Sequence, residues 1–130
     1  MAVGSGVFKM DIDKDRKVFT AFADGFFSLE QGMEFCQEFI RAAQECGKFG
    51  DYIMIIDAVG VKPSTPEVAE ALGGALALYA SDDFKFKKRF MLKCASSISQ
   101  AQVTRLSKNV PGFDTKMTFV DTKEDALKEL

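Results

Sequence analysis

The sequence predicts a single α/β domain whose β-sheet is mixed but mainly parallel. Short apolar runs of strand length alternate with longer amphipathic segments, in the order β-β-α-β-α-β-α-β-α. Strands that alternate with helices need crossover connections, and crossovers join parallel strands. The first two strands follow each other directly, which is typical of an antiparallel hairpin. We therefore expect an N-terminal β-hairpin, about four helices and one sheet.

The length and composition are those of an ordinary globular protein. The chain has 130 residues, of which 47% are hydrophobic and 28% are charged, and its formal net charge is −2. An acidic chain lacks the concentrated basic surface that a nucleic-acid backbone requires, so we expect no nucleic-acid partner. No stretch approaches the roughly 18 apolar residues that span a membrane, and the N-terminus lacks the pattern of a signal peptide. These features predict a cytoplasmic protein.

Two runs with strand character open the chain. They are VFKMDID at 7–13 and KVFTAFA at 17–23. The first run places Phe8, Met10 and Ile12 on one face, because successive side chains of a strand point to opposite faces. A short charged turn joins the two runs, as expected for a hairpin.

An amphipathic helix is predicted over residues 28–46. Its apolar positions step by three or four residues along the chain. They are Leu29, Met33, Cys36, Ile40 and Ala43, with Phe39 and Cys46 widening the stripe. Ser28 and Gln31 have the spacing of a capping box, in which each side chain satisfies a backbone N–H of the first turn. Gly47 is a natural end for this helix.

The later strands and helices alternate. YIMIID at 52–57 is a continuous apolar run, typical of a strand buried on both faces. The other predicted elements are a helix at 66–80, a strand at 88–94, a helix at 99–110, a strand at 116–120 and a helix at 121–130. Ser99 and Gln102 have capping-box spacing, and either Asp121 or Thr122 is expected to cap the last helix.

Two adjacent phenylalanines precede the first helix, in the stretch ADGFFSLEQ. One of Phe26 and Phe27 is expected to pack against the helix start as a hydrophobic staple. If the other side chain is exposed, it is a candidate anchor for an interface, because aromatic residues are enriched at binding hot spots.

The common catalytic motifs are absent from the sequence. The chain contains no histidine, which excludes Ser-His-Asp and Cys-His catalysis and any histidine-ligated metal. It contains no glycine-rich phosphate-binding motif in the required context. Its three cysteines, Cys36, Cys46 and Cys94, lack C-x-x-C spacing, so we expect buried free thiols rather than a disulfide or a zinc site. We expect no enzyme, no metal and no cofactor.

One location in the fold could still hold a small ligand. Ligands of open α/β sheets bind beyond the carboxyl ends of the strands. Asp57 is predicted to follow a buried strand and therefore to lie at this edge. The candidate ligand residues are Asp57, Gly60, Lys62 and Ser96.

The order of elements resembles that of the STAS-like family, whose best-known members are bacterial anti-sigma-factor antagonists. The resemblance lies in the opening hairpin, YIMIIDAVGVKPSTPEV, RFMLKCAS with the helix after it, and the ending TFVDTKEDALKEL. The run IIDAVG is the most similar, with Asp57 and Gly60 in matching places. The resemblance implies one STAS-like domain over residues 1–130. It also implies a protein partner, which in regulatory family members is a kinase-like anti-sigma factor.

The resemblance directs attention to the start of the second helix. In regulatory members an Asp-Ser-Ser-Gly type motif stands there, and the partner kinase phosphorylates a serine in it. This chain reads KPSTPE instead. Counted without gaps from Asp57, the serine position falls at Glu67, which already carries a negative charge. With a short deletion it falls at Ser64 or Thr65.

Two interpretations of Ser64 and Thr65 stay open. Thr65 is a natural N-cap before Pro66, and Ser64 with Glu67 has capping-box spacing, so the pair is explained by starting a helix. A phosphate at the same place would meet free N–H groups and a favourable helix dipole.

The leading functional hypothesis is a non-enzymatic regulatory module that binds a protein through the loop 58–67 and the helix that follows it. The alternative is a domain that binds a small ligand, either a nucleotide or a lipid, at the carboxyl ends of the strands. A homodimer stays open, because exposed apolar surface on the long helices cannot be judged from the sequence.

Overall fold

The computed structural model describes residues 6–63 and 66–129, and for residues 63, 66–69 and 72 it describes the backbone only. The strands are β1 (Val7–Asp13), β2 (Val18–Phe27), β3 (Ile53–Pro63), β4 (Lys88–Leu92) and β5 (Met117–Val120). The helices are α1 (Leu29–Cys46), α2 (Pro66–Tyr79), α3 (Ser97–Ser107), α4 (Phe113–Lys116) and α5 (Lys123–Leu127). The predicted order is confirmed, and α4 is a short helix that the sequence did not predict.

The five strands form one sheet in the order β1-β2-β3-β4-β5. β1 is antiparallel to β2, whereas β2–β3, β3–β4 and β4–β5 are parallel. This arrangement confirms the mixed, mainly parallel sheet with an N-terminal hairpin. The parallel crossovers run through α1, α2 and α3, so each of these helices begins near the carboxyl end of the strand before it.

The two faces of the sheet bury separate clusters. The helical face packs against α1 and α2, and its cluster includes Phe19, Met54 and Met91. The back face packs against α5, where Ile55 and Leu92 lie in one cluster with Ala126. The helical face therefore holds most of the core, and α5 covers part of the opposite face.

β2 and β3 are longer than predicted, and a bulge lies between them. Phe22 pairs with Asp57, but Asp24 pairs with Gly60, so β3 carries an extra residue at this point. The prediction that Asp57 follows the strand is wrong, since β3 continues to Pro63. Asp57 is two residues from Ile55 and shares its back face, where the side chain is only half-buried and a carboxylate is tolerated.

The start of α1 follows the predicted capping box. The Gln31 N–H donates to Ser28 Oγ, and the Ser28 N–H donates to Gln31 Oε1. The buried face is centred differently from the prediction, on Phe35, Phe39 and Ala43. Leu29 and Met33, which were expected to be buried, are 46% and 55% exposed. The two large aromatic rings turn the helix toward the core and leave Leu29 and Met33 on its flank.

The N-cap of α3 differs from the predicted one, and the N-cap of α5 is one of the two predicted residues. α3 begins two residues earlier than predicted, and its N-cap is Ser96, whose Oγ accepts from the Ser99 N–H. Thr122 caps α5 by accepting from the Asp125 N–H. Ser96 therefore has a structural role at the point where the chain leaves β4.

An ion pair between Lys17 and Asp51 joins the hairpin turn to the start of β3, with Nζ and Oδ2 2.9 Å apart. The hydrogen bond from Lys17 holds the pKa of Asp51 below its usual range, and the same contact raises the pKa of Lys17. The pair therefore stabilises the fold at intermediate pH. Its contribution is lost as the pH falls through the lowered pKa of Asp51, and again as the pH rises through the raised pKa of Lys17.

We expect the Asp51→Asn variant to be less stable than the wild-type protein at neutral pH and to approach it below about pH 4. Urea unfolding at a series of pH values measures this difference. Asp83→Asn is the matched control, because Asp83 is an exposed carboxylate that forms no ion pair with any residue the structure describes. A difference between Asp51→Asn and wild type that stays constant from pH 7 to the acid limit would contradict the assignment.

Candidate functional site

An open groove lies at the carboxyl ends of β2, β3 and β4, with a volume of about 490 Å³. Its lining residues are Asp24, Gly25, Phe26, Val59, Gly60, Val61, Lys62, Ala95, Ser96 and Ser99. We call it the carboxyl-end groove. The Ala95 N–H donates to the Val59 carbonyl at 3.2 Å, which holds the segment after β4 against β3.

Three of the four predicted ligand residues meet in this groove. Gly60, Lys62 and Ser96 all line it, although they come from two different segments of the chain. Asp57 does not line it, because it pairs with Phe22 before the bulge, whereas the groove residues of β3 come after the bulge. The structure therefore places Asp57 apart from the other three candidate ligand residues.

Gly60 permits a close approach between β2 and β3. A Cβ at this position would overlap the Asp24 carboxylate, so the absence of a side chain lets Asp24 lie against the β3 backbone. Lys62 lies nearby, with its Nζ 5.5 Å from the centroid of the Phe26 ring. This distance fits a cation–π contact at an exposed site. The groove wall thus combines a carboxylate, an ammonium group and an aromatic ring.

The two phenylalanines before α1 have opposite environments. Phe27 is 2% exposed and packs in the core of the helical face, whereas Phe26 is 51% exposed. Their side chains diverge because neighbouring residues of β2 point to opposite faces of the sheet. As predicted, one of the two rings is packed and the other is exposed: Phe27 is the packed ring and Phe26 is the exposed ring.

Further large apolar side chains are exposed at the same edge of the sheet. Ile98 is 82% exposed in the first turn of α3, next to groove residues Ser96 and Ser99. Leu29 and Met33 are exposed in the first two turns of α1. Ile98 follows two serines, and Leu29 and Met33 match a core pattern, so the sequence did not identify these side chains as surface residues.

Small residues lie on the described part of the outer surface of α2, one turn from the exposed Glu70. Gly74 and Ala77 are exposed, and a Cβ at Gly74 would meet no other atom within 4 Å. Leu29 and Met33 share a helical stripe with Cys36, and Cys36 lines a crevice against Ala71 of α2. The exposed apolar flank of α1 therefore lies on the side of α1 that faces α2.

The predicted loop 58–67 is mostly a strand. Residues 58–63 belong to β3, and α2 begins at Pro66. Ser64 and Thr65 lie outside the described residues, as does the side chain of Glu67. The described part of the predicted partner-binding segment is thus the end of β3 and the body of α2.

Two narrow crevices lie beneath α2, one toward α1 and one toward α3. They have volumes of about 30 and 40 Å³ and share Ala58, Val61 and Tyr79 in their walls. Spaces of this size hold a few water molecules, which is far less than a nucleotide or a lipid requires. Cys36 lines the first and Cys94 the second, and burial raises the pKa of both thiols.

Within residues 6–63 and 66–129, no three His, Cys, Asp or Glu residues come together in a group that could hold a metal ion. No helix in the same part of the chain is both long and apolar enough to cross a membrane.

Comparison with known proteins supports the fold, and two similar solved structures illustrate it. No family model and no curated protein matches the sequence. An uncharacterized protein from the DUF3478 family with a SpoIIAA-like fold, from Shewanella loihica PV-4, is similar over 100% of this chain and 97% of its own, with a TM-score of 0.61 and 15% identity. An anti-sigma factor antagonist from Mycobacterium paratuberculosis is similar over 96% of this chain and 93% of its own, with a TM-score of 0.59 and 13% identity.

These similarities confirm that the chain has a STAS-like α/β fold. Sequence identities of 13% and 15% establish the fold alone, because one fold can carry several functions.

Proposed function

We propose that this chain is a non-enzymatic regulatory module that binds another protein at the carboxyl-end edge of its sheet. The binding surface comprises the end of β3, the start and outer face of α2, and the exposed apolar side chains beside them. The observation that carries this proposal is the exposure of Leu29 and Met33, one helical turn apart, on the flank of α1 that faces α2. Exposed apolar side chains gathered in one region are typical of protein interaction sites.

The small residues on the described outer face of α2 support a protein partner. Its exposed glycine and alanine would let a partner approach the helix backbone closely, and the exposed apolar residues of α1 would border that contact. The interface would follow the usual pattern of an apolar centre and a polar rim, with Lys62 and Asp24 in the rim.

The proposed class of partner rests on an analogy with a structural neighbour. The Mycobacterium paratuberculosis protein is named as an anti-sigma factor antagonist. By analogy, we propose a kinase-like anti-sigma factor as the partner, with the interaction taking place in the cytoplasm. Residues 1–130 would act as one STAS-like domain in this interaction.

Ser64, Thr65 and Glu67 are the proposed regulatory or contact residues. The start of α2 at Pro66 supports the placement of Thr65 at the N-cap, since proline is favoured at the first helical position. A phosphate on Ser64 or Thr65 would add negative charge next to the proposed interface and weaken the binding of a partner that docks there.

Affinity capture from the native cell extract tests this proposal. The baits are the wild-type chain, Ser64→Glu/Thr65→Glu and, as a matched control, Ser64→Ala/Thr65→Ala. We expect wild type and the alanine variant to retain the partner and the glutamate variant to lose it. If all three baits retain the same partner, the phosphorylation role is wrong and the pair is a helix cap. If truncation of the exposed residues on α1 also has no effect, the proposed surface is wrong.

The alternative function is binding of a nucleotide or a lipid in the carboxyl-end groove. It is favoured by the convergence of Gly60, Lys62 and Ser96 in a space of about 490 Å³, which is within the range of ligand sites. A thermal-shift screen with nucleotides and fatty acids tests it, because a ligand that binds the folded state alone raises the melting temperature. The Lys62→Ala variant should then lose the shift. No stabilisation by any compound would exclude the alternative for these two ligand classes.

A further inference from the structure

β1 forms an edge of the sheet. β2 lies on its inner side, and no strand of the described chain lies on its outer side. An edge strand presents unpaired N–H and C=O groups, which can pair with a strand of another molecule. β1 is seven residues long, which is long enough for a regular ladder.

The five central residues of β1 are complementary to themselves. It reads Val-Phe-Lys-Met-Asp-Ile-Asp, with Met10 at its centre. If two copies of β1 pair in antiparallel fashion with Met10 opposite its counterpart, Lys9 of each copy lies opposite Asp11 of the other. Phe8 of each copy then lies opposite Ile12 of the other. Over the five central residues this register matches charge with opposite charge and apolar with apolar side chains, whereas the outermost pair sets Val7 of each copy opposite Asp13 of the other.

The exposure of these residues agrees with their division between the two faces. Phe8, Met10 and Ile12 are half-buried and pack against the core of the helical face. Lys9 and Asp11 are exposed on the other face. Neither forms an ion pair with any residue in the described ranges. A second copy would cover the outer side of the apolar row and give both charges an opposite partner.

We propose that this chain forms a two-fold symmetric homodimer through antiparallel pairing of β1 with β1 of a second copy. The pairing would join the two sheets into one continuous sheet with both helical layers on the same side. The residues in contact are those of one short strand, so the dimer is weak and concentration-dependent. The proposed dimer interface is the edge of the sheet, whereas the sequence suggested the exposed surface of the long helices as a possible dimer interface.

The dimer does not depend on the proposed partner. Its contacts come from the outer edge of β1, whereas the partner surface comprises the end of β3, α2 and the exposed residues of α1. A negative result for one of the two proposals therefore does not contradict the other.

Sedimentation equilibrium of charge-reversal variants tests the dimer. The Lys9→Asp variant has an all-acidic edge, and the Asp11→Lys variant places lysines opposite each other. Each change replaces two opposite-charge pairs by two like-charge pairs, so we expect the dissociation constant to rise roughly tenfold or more. Lys87→Asp carries the same change in charge as Lys9→Asp, and Lys87 is an exposed residue outside the strands, just before β4. It should leave the dimer unchanged.

Two recovery experiments separate pairing from a general loss of folding. An equimolar mixture of Lys9→Asp and Asp11→Lys should form a heterodimer, because each acidic position then faces a lysine. The double variant Lys9→Asp/Asp11→Lys should return to the wild-type dissociation constant, because the exchanged charges are again complementary. A wild-type chain that stays monomeric at every accessible concentration would overturn the proposal. So would a dimer that the single reversals do not weaken, or single variants that do not recover on mixing.

Discussion

Replacement of Phe39 by alanine should lower the free energy of unfolding by about 3–5 kcal/mol. Phe39 is 0% exposed and lies at the centre of the core between the sheet and the helices. Its ring centroid is 5.6 Å from that of Phe19 in β2, 5.0 Å from Tyr79 in α2 and 6.1 Å from Phe84. Truncation would remove these aromatic contacts and leave a cavity that the surrounding rings cannot close without moving.

Phe49 provides the control for this prediction. It is the same residue type but is 85% exposed, so Phe49→Ala should change the free energy of unfolding by less than about 0.5 kcal/mol. Urea unfolding followed by circular dichroism measures both variants. A loss below about 1 kcal/mol for Phe39→Ala would contradict the central position of this ring in the core.

The Leu29→Asp/Met33→Glu variant should bind the proposed protein partner at least about thirtyfold more weakly than the wild-type chain, because loss of a hot-spot contact costs about 2 kcal/mol or more. Both side chains are exposed, at 46% and 55%, so their replacement leaves the core intact. Aspartate in the first turn of a helix is compatible with the helix dipole, and glutamate has a high helix propensity. Isothermal titration calorimetry with the isolated partner measures the affinity.

The matched control for this variant is Phe49→Glu. Phe49 precedes β3 and lies near the amino end of that strand. The carboxyl-end groove lies at the other end of the strand. Phe49→Glu should bind the partner as wild type does. Equal weakening by both variants would show that the effect comes from added negative charge rather than from loss of this surface.

The fold follows from the sequence because its elements are locally consistent. The period-two and helical patterns predicted the order of the strands and the longer helices, and the capping box of Ser28 and Gln31 identified the start of α1 correctly. The short α4 has four residues, too few for a periodic pattern.

The positions at which the strands end were harder to predict from the sequence. Asp57 and Gly60 have low strand propensity, so the sequence predicts that the third strand ends at Asp57. The structure continues the strand through both, because the bulge lets Gly60 pair with Asp24 and because the back face tolerates a half-buried carboxylate. Pairing with β2 thus outweighs local propensity, and propensity alone could not reveal it.

The candidate site was predictable in part. Gly60, Lys62 and Ser96 lie together in the carboxyl-end groove, as the rule that ligands gather beyond the carboxyl ends of strands predicts, and their role in binding a ligand stays a prediction. The exposure of Leu29 and Met33 was not predictable, because their spacing is that of a buried stripe and the rotation of α1 depends on Phe35 and Phe39. Phe26 could be assigned to the surface only once the register of β2 placed Phe27 in the core.

The most direct test of the central claim is side-by-side affinity capture with three baits: the wild-type chain, Leu29→Asp/Met33→Glu and Phe49→Glu. Quantitative mass spectrometry would compare the proteins that each bait retains from the native cell extract. We expect a protein that wild type and Phe49→Glu retain equally and that Leu29→Asp/Met33→Glu loses. Retention of the same proteins in equal amounts by all three baits would contradict a partner-binding surface at the carboxyl-end edge of the sheet.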